Sequence, residues 1–313
     1  MQYPTLTFTV GRAEATAARA ATPPTAATGA HPLESCFRDN AWLLGRPERA
    51  AIERERLELL QTIHDGPTCA RLATRVRRGW RCLEIGPGSG SICAWLAQQV
   101  GDAALVTAAD ITTVQLAQLA QLGCRVMQHD VMRDPPEALG RAYDLIFSRF
   151  VFSNLPNGRD AVIAQLVACL KPGGWLVIED QDPNSLWAAD PSHPLSAQFD
   201  AFTQGSASSP WAQPFGRYLS ALFRRCGLTQ IEHSIEASVA AGGDSAHARL
   251  RLLTVEGYAA EFAALDFDAA EREGLRRAFA VWRAAFTDPQ FLFVTKTVHW
   301  VAGQRGTEAV GAA

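Results

Sequence analysis

Four residues at alternate positions, Glu84, Gly86, Gly88 and Gly90 in the run LEIGPGSG, carry the strongest chemical signal in the chain. Glycines at this spacing let the backbone turn with positive φ and approach a ligand closely, and the amphipathic stretch opening at Ser91 would aim a helix N-terminus at the same point. The chemistry on offer is nucleotide or nucleoside binding. A dinucleotide fingerprint needs its last glycine three positions after Gly88, where this chain has Ser91, so the spacing argues against NAD or FAD. Asp110 follows about 20 residues beyond the turn, at the end of the apolar run ALVTAA. A carboxylate placed there can accept both ribose hydroxyls of an adenosine, through charge-assisted bonds of about 1.5–3 kcal/mol each. The alternative is an N-cap for a helix beginning near Thr112.

A second acidic group, Glu179-Asp180-Gln181-Asp182, closes another apolar run. At the carboxyl edge of a sheet it could furnish a general base or orient a substrate. A metal set drawn from Asp180, Asp182 and Asn184 competes with a solvated turn capped by its own side chains, and no metal is expected.

These residues need a frame, and the hydropathy pattern supplies one. Apolar runs at Arg81–Ile85, 104–109, Cys124–Gln128, Tyr143–Phe147 and Trp175–Ile178 alternate with helical periodicity, as in a doubly wound parallel sheet. A sixth strand is expected at 228–237 and a last one at Phe291–Val301, with helices between them over 246–288. Ahead of the sheet, ERERLELLQTIHD and CARLATRVRR read as two helices joined by a turn at Asp65-Gly66-Pro67-Thr68. Residues 1–32 pass through an Ala/Thr/Pro-rich tract with too little apolar surface to offset its ordering entropy, and disorder is expected there.

With 313 residues, burying a core is no difficulty, and a net charge of -3 without a basic stripe gives no nucleic-acid footprint. No apolar run reaches the roughly 18 residues of a membrane span, and no signal peptide is evident. The seven cysteines include no Cys-x-x-Cys pair and several fall within apolar strand or helix patterns, which suits reduced thiols and a cytoplasmic setting.

Glu84 with Gly86, Gly88 and Gly90 resembles the first motif of the class I S-adenosylmethionine-dependent methyltransferases. YDLIFSRFVFSNLP followed by LKPGGWLVIED resembles the fourth and fifth strands of the bacterial ubiquinone/menaquinone and natural-product members of that family. The resemblance covers about residues 56–181 and, more loosely, the C-terminal third. It implies a Rossmann-like seven-stranded sheet with an N-terminal helical lid and a helical insertion before the last strand. The corresponding parts are a tail (1–32), a lid (33–78), a core (79–240), a cap (241–290) and the last strand with a tail (291–313).

The resemblance further implies S-adenosylmethionine as cofactor, held by Glu84, Gly86, Gly88, Gly90, Asp110 and Ile111. Asp130 and Val131 would lie at the adenine, and Ser148 and Arg149 beside the methionine part. Asn154-Leu155-Pro156 replaces the His-Leu-Pro of many members, so a role resting on that histidine does not carry over. The acceptor expected is a small, aromatic or apolar secondary metabolite methylated at O, N or C. Quinone-ring methylation and a non-catalytic binding module are the alternatives, and nucleic acid and membrane are not expected as partners. A phenol or ammonium must lose a proton, for which His64, His193, His247, Glu179 and Asp180 are the candidate bases. The aromatics Trp187, Phe199, Phe202, Trp211, Phe215 and Tyr218 suit either an acceptor pocket or plain core packing. Sequence leaves monomer and homodimer both open.

Overall fold

A computed structural model of the chain describes residues 5–9, 50–155, 158–207, 215–262 and 267–307. Five strands run parallel: β2 (Cys82–Ile85), β3 (Val106–Asp110), β4 (Arg125–Gln128), β5 (Tyr143–Arg149) and β6 (Leu170–Gln181). β2 is buried at every position, as a strand covered on both faces must be. Register sets Ile85 opposite Ala109 on one side and Ser148 on the other, and Arg149 opposite Glu179. The residues that leave these strands, Gly86, Asp110 and Arg149, therefore emerge together at one edge of the sheet.

The remaining order is β4-β3-β2-β5-β6-β10-β8, where β10 (Val298–Arg305) runs antiparallel between β6 and β8 (Leu228–Ala241). This is the Rossmann-like class I sheet expected from the sequence, with three strands added. β1 (Thr5–Thr9) pairs antiparallel with β8, and β7 (Trp187–Ala188) and β9 (Leu292–Val294) pair with each other beside the far end of β8. β1 corrects the expectation of disorder at its own position: TLTFT alternates β-branched Thr with Leu6 and Phe8, a strand pattern that the neighbouring Ala/Pro tract obscures. The rest of 1–32 lies outside the described residues.

Two further expectations are corrected. Asp65-Gly66-Pro67-Thr68 is not a turn, because α1 (Ala50–Ala73) runs through it as one helix with Pro67 inside. Contacts on both sides of the breaker outweigh its local preference: Asp65 accepts from Arg149, and the buried Thr68 hydroxyl donates to Glu179. The last strand is also broken. β9 and β10 follow the same edge of β8, yet Val294 faces Val239 while Val298 faces Glu236, with Thr295-Lys296-Thr297 looped out between them. Side-chain hydroxyls supplement what remains of the backbone pairing: Thr295 donates its N–H to the Ser238 carbonyl (2.8 Å) while its Oγ1 accepts from the Ser238 N–H (3.0 Å), and Ser185 Oγ accepts from the Thr297 N–H (2.7 Å).

α2 (Ser91–Val100) and the C-terminal end of α1 cover one face of the sheet, packing Ile92, Leu96 and Leu72 against Leu145, Phe147 and Val177. α4 (Arg159–Cys169) and α6 (Phe215–Arg225) cover the other, against Leu83, Ile146, Leu176 and Ile178; the short α3 (Ala117–Gln121) lies between β3 and β4. α5 (Ser196–Ala207), α7 (Ala246–Phe262) and α8 (Ala269–Thr287) enclose a separate aromatic core of Phe199, Phe279, Phe286, Phe291 and Phe293. Each such side chain contributes about 1.5–3 kcal/mol through burial, so this satellite core can hold α7 in place over the sheet edge. Among the described residues no helix is long and apolar enough to cross a membrane. The six described cysteines are unpaired.

Candidate active site

A cavity of about 260 Å³ opens where β2, β3 and β5 end, roofed by α1 and α7. Its floor is the glycine turn. Gly86 has φ +67°, and a Cβ there would lie 2.2 Å from Val151 Cγ2; a Cβ at Gly88 would come within 3.1 Å of Leu57 in α1. The turn is thus a cradle that side chains would fill. Gly90, at φ +88°, forms the N-cap of α2, packs towards Leu119 and stays outside the lining.

Of the other residues expected to hold a cofactor, Glu84, Asp110, Ile111, Asp130, Val131 and Arg149 line the cavity together with Gly86 and Gly88. Ser148 does not: its fully buried hydroxyl donates to the Ile85 carbonyl (3.0 Å), bolting β5 to β2. Asp110 accepts from the Thr112 N–H (3.1 Å), and α3 begins only at Ala117, so its capping is confined to a turn rather than to a helix. Burial pushes its carboxyl up to about 6 against the pull of the Thr112, Ile111 and Gly88 N–H groups. Asp130 accepts from the Met132 N–H (2.8 Å).

Glu84 is the informative residue of this half. It is 2 % exposed, and burial pushes its carboxyl up to about 7 although the Cys93 hydrogen bond and Arg149 oppose that. Its buried Oε2 has no hydrogen-bond partner among the described residues. An orphaned carboxylate oxygen on the wall of a cavity is satisfied by a donor that enters the cavity. The ammonium of a methionyl group is such a donor. Together with the glycine cradle and the Asp110 carboxylate, this fits S-adenosylmethionine.

The five candidate bases divide. His64 and His247 line the cavity; His193, Glu179 and Asp180 do not. His64 packs edge-on against Phe150 (4.8 Å between centroids), and burial, then Arg149, His247 and Arg251, hold its imidazole well below the usual range. Burial and Arg251 lower His247 to about 4. His193 faces Asp288 (3.3 Å) and packs on Phe291 in the satellite core. Glu179 accepts the Thr68 hydroxyl (2.7 Å), with burial raising it to about 7, and Asp180 accepts the N–H groups of Ser153 (2.9 Å) and Gln181 (2.8 Å). Both carboxylates fasten neighbouring segments to β6. Asp182 accepts from the Asn184 N–H and from Arg217, and among the described residues no group of three or more His, Cys, Asp or Glu could hold a metal.

The aromatic stretch does not form an acceptor pocket. Phe199 and Phe215 are core residues, Trp187 and Tyr218 are exposed, Phe202 is half-buried in a separate hollow between α5 and α8, and none of them lines the cavity. Trp211 lies outside the described residues. The second wall comes instead from residues that the sequence pattern did not single out: Leu57, Leu60 and Gln61 of α1, Leu250, Arg251 and Tyr258 of α7, and Lys296 of the loop between β9 and β10. Gln61 hydrogen-bonds Ser89, closing α1 directly onto the glycine turn. Phe150, in the left-handed region at φ +56°, is another such residue. A bulky side chain there is a strained placement of the kind that recurs in functional sites.

Comparison with known proteins agrees with this geometry. Residues 50–235 match a family model described as a methyltransferase domain. Methyltransferase str3 of Strobilurus tenacellus is 35% identical over 102 residues, covering 33% of this chain and 35% of that one. The arsenite methyltransferase of Aquipseudomonas alcaligenes is 32% identical over 124 residues, covering 36% of each. The matches thus span about a third of the length of these curated relatives. Among solved structures, a Haemonchus contortus phosphoethanolamine N-methyltransferase 2 bound to phosphomonomethylethanolamine and S-adenosylhomocysteine shares the fold at 16% identity. Its TM-score is 0.50, over 86% of this chain and 60% of that one.

The chain belongs to the methyltransferase-domain family. It has the class I fold of the enzymes that use S-adenosylmethionine, which is its cofactor.

Proposed function

We propose that the protein transfers a methyl group from S-adenosylmethionine to an oxygen, nitrogen or carbon of a small molecule held beneath α1 and α7. One observation carries this reading: a single cavity joins the glycine turn, Glu84 and Asp110 to a second wall built by His64, Leu250, Arg251 and Lys296. The bound sulfonium would supply a methyl already activated for in-line displacement, so the work left to the chain is positioning and the exclusion of water. Glu84 and Asp110 would anchor the donor at opposite ends of the glycine turn. Leu57 and Gln61 would seal it from above, and Leu60, Phe150 and Leu250 would keep the acceptor side dry.

His64 and His247, both held neutral, can take the proton an acceptor sheds. A weak base suffices for a hydroxyl acceptor, because an oxygen bearing the incoming methyl becomes strongly acidic. The proposed partner is a small-molecule acceptor with an apolar body, in keeping with the leucines and Phe150 on the wall.

Calorimetric titration with S-adenosylhomocysteine, with NAD as control, tests the donor half. Binding of the first alone is expected, and binding of NAD alone would overturn the reading. Incubation with S-adenosylmethionine and panels of small phenols, amines and carboxylic acids tests turnover through release of S-adenosylhomocysteine. Tight donor binding without turnover on any panel member would favour a binding module.

A further inference from the structure

The acceptor end of the cavity holds more positive than negative charge. Four acidic residues line the cavity. Glu84, Asp110 and Asp130 belong to the donor side, at the ends of β2, β3 and β4. Glu53 is taken up by a two-pronged pair with Arg56, both bonds 2.7 Å long. Arg251 and Lys296 are left facing the remaining space. The Arg251 Nε is buried with no hydrogen-bond partner among the described residues. Burial, and then Arg56, lower the guanidinium to about 10 although Tyr258 pulls the other way. Lys296 is lowered to about 7 by burial and by Arg251, against the pull of Asp182 and Asp180 from outside the cavity. Two neighbouring half-buried cations, with no carboxylate of their own on the wall, are costly unless something anionic joins them.

The break between β9 and β10 accounts for the position of Lys296. Had FLFVTKTVHWV continued as one strand, this residue would sit within the ladder. The looped-out Thr295-Lys296-Thr297 brings it to the cavity instead, as strand irregularities beside active sites commonly do.

We infer that Arg251 and Lys296 form an anion clamp that grips a carboxylate or phosphate group on the methyl acceptor, whose apolar body lies against Leu60 and Leu250. The inference rests on the methyltransferase reading and narrows its substrate class to small acceptor anions. The carboxylate of the donor itself is the rival occupant. Position disfavours it: β2, where Glu84 and the glycine turn hold the donor, and β10, next to Lys296, are three strand spacings apart, roughly 14 Å.

The test is calorimetric titration of the full chain, saturated with S-adenosylhomocysteine, with benzoate, phenyl phosphate, benzamide and benzylamine. Benzoate or phenyl phosphate should bind at least about tenfold more tightly than benzamide, and the stronger of the two distinguishes a carboxylate from a phosphate acceptor. Arg251→Met and Lys296→Met should each weaken that anion about tenfold or more while shifting S-adenosylhomocysteine affinity less than about threefold. Arg251→Lys, which keeps the charge and is the gentler change, should retain most of the binding. The inference is overturned if neither anion binds, if benzamide or benzylamine binds as well, or if the Met variants weaken S-adenosylhomocysteine instead. Repeating the anion titrations without S-adenosylhomocysteine keeps the clamp readable even if the donor reading itself fails.

Discussion

Arg149, the last residue of β5, donates through Nη2 to Asp65 Oδ1 of α1 at 2.6 Å, joining positions 84 residues apart. Its Nη1 donates to Thr68 Oγ1 (3.0 Å), whose own hydroxyl proton goes to Glu179. One guanidinium therefore ties the roof of the cavity to its floor. Arg149→Met should destabilise the protein by about 1–3 kcal/mol in urea unfolding and weaken S-adenosylhomocysteine several-fold, because α1 loses its tether. Arg149→Lys restores the charge without the fork and should recover only part of the loss. Unchanged stability in the Met variant would show that the tether is idle.

The glycine cradle makes a steric prediction. Gly86→Ala sets a Cβ 2.2 Å from Val151 Cγ2 on a backbone at φ +67°. The strained backbone alone costs about 1–3 kcal/mol, and donor binding should be lost with it. Adding Val151→Ala removes the clash and not the φ strain, so melting temperature should recover only in part. Full recovery would mean that the backbone conformation contributes nothing.

Asp110→Ala should leave the fold intact and weaken S-adenosylhomocysteine by about 1.5–3 kcal/mol or more, since up to two charge-assisted bonds disappear. An affinity equal to that of the wild type in calorimetry would remove Asp110 from the site.

Donor binding should depend on pH with a definite sign. Burial holds Glu84 at about 7 and Asp110 at about 6 in the free protein. An ammonium and ribose hydroxyls favour the ionised carboxylates, so below pH 7 binding must expel protons. Affinity should rise from pH 5 to 8 and then level off, with proton release visible as a dependence of the measured heat on buffer ionisation enthalpy. Glu84→Gln should abolish most of that release near pH 7, and an affinity flat between pH 6 and 8 would contradict the assignment. For the stability of the free protein the sign is opposite. Both folded pKa values are raised, so the stabilising contribution of these two groups is complete below about 4 and fades as pH rises through 6 to 7. Bound donor should reverse that slope.

The parallel half of the sheet and the donor side of the site were legible because their signals are local. Strands buried on both faces read as continuous apolar runs, and the glycine spacing and Asp110 lie within one short stretch of chain. The second wall was not legible, because burial of a cation is a tertiary fact. Arg251 sits in RLRLLTVEGY, which reads as an ordinary amphipathic helix, and Lys296 sits in FVTKTV, which reads as an ordinary strand with no Gly or Pro to mark a break. The aromatics after β6 pointed the wrong way for a related reason: Phe199 fills a satellite core as readily as it would line a pocket, and composition does not distinguish the two. Pro67 misled in the opposite sense, since a local breaker was outweighed by Asp65 and Thr68 on either side of it.

The interruption at Thr295-Lys296-Thr297 also bears on how such an enzyme can diversify. Apart from Phe150, which follows Arg149 directly, the residues of the second wall reside in α1, α7 and this three-residue loop, whereas those fitted to the donor leave the ends of four parallel strands. Donor and acceptor halves are thus written largely in separate stretches of chain, which touch in sequence at Arg149-Phe150. Exchanging α7 together with the loop would amount to changing a cartridge: the methyl source stays fixed while the clientele changes, which makes 246–262 and 295–297 the segments to randomise when a new acceptor is sought.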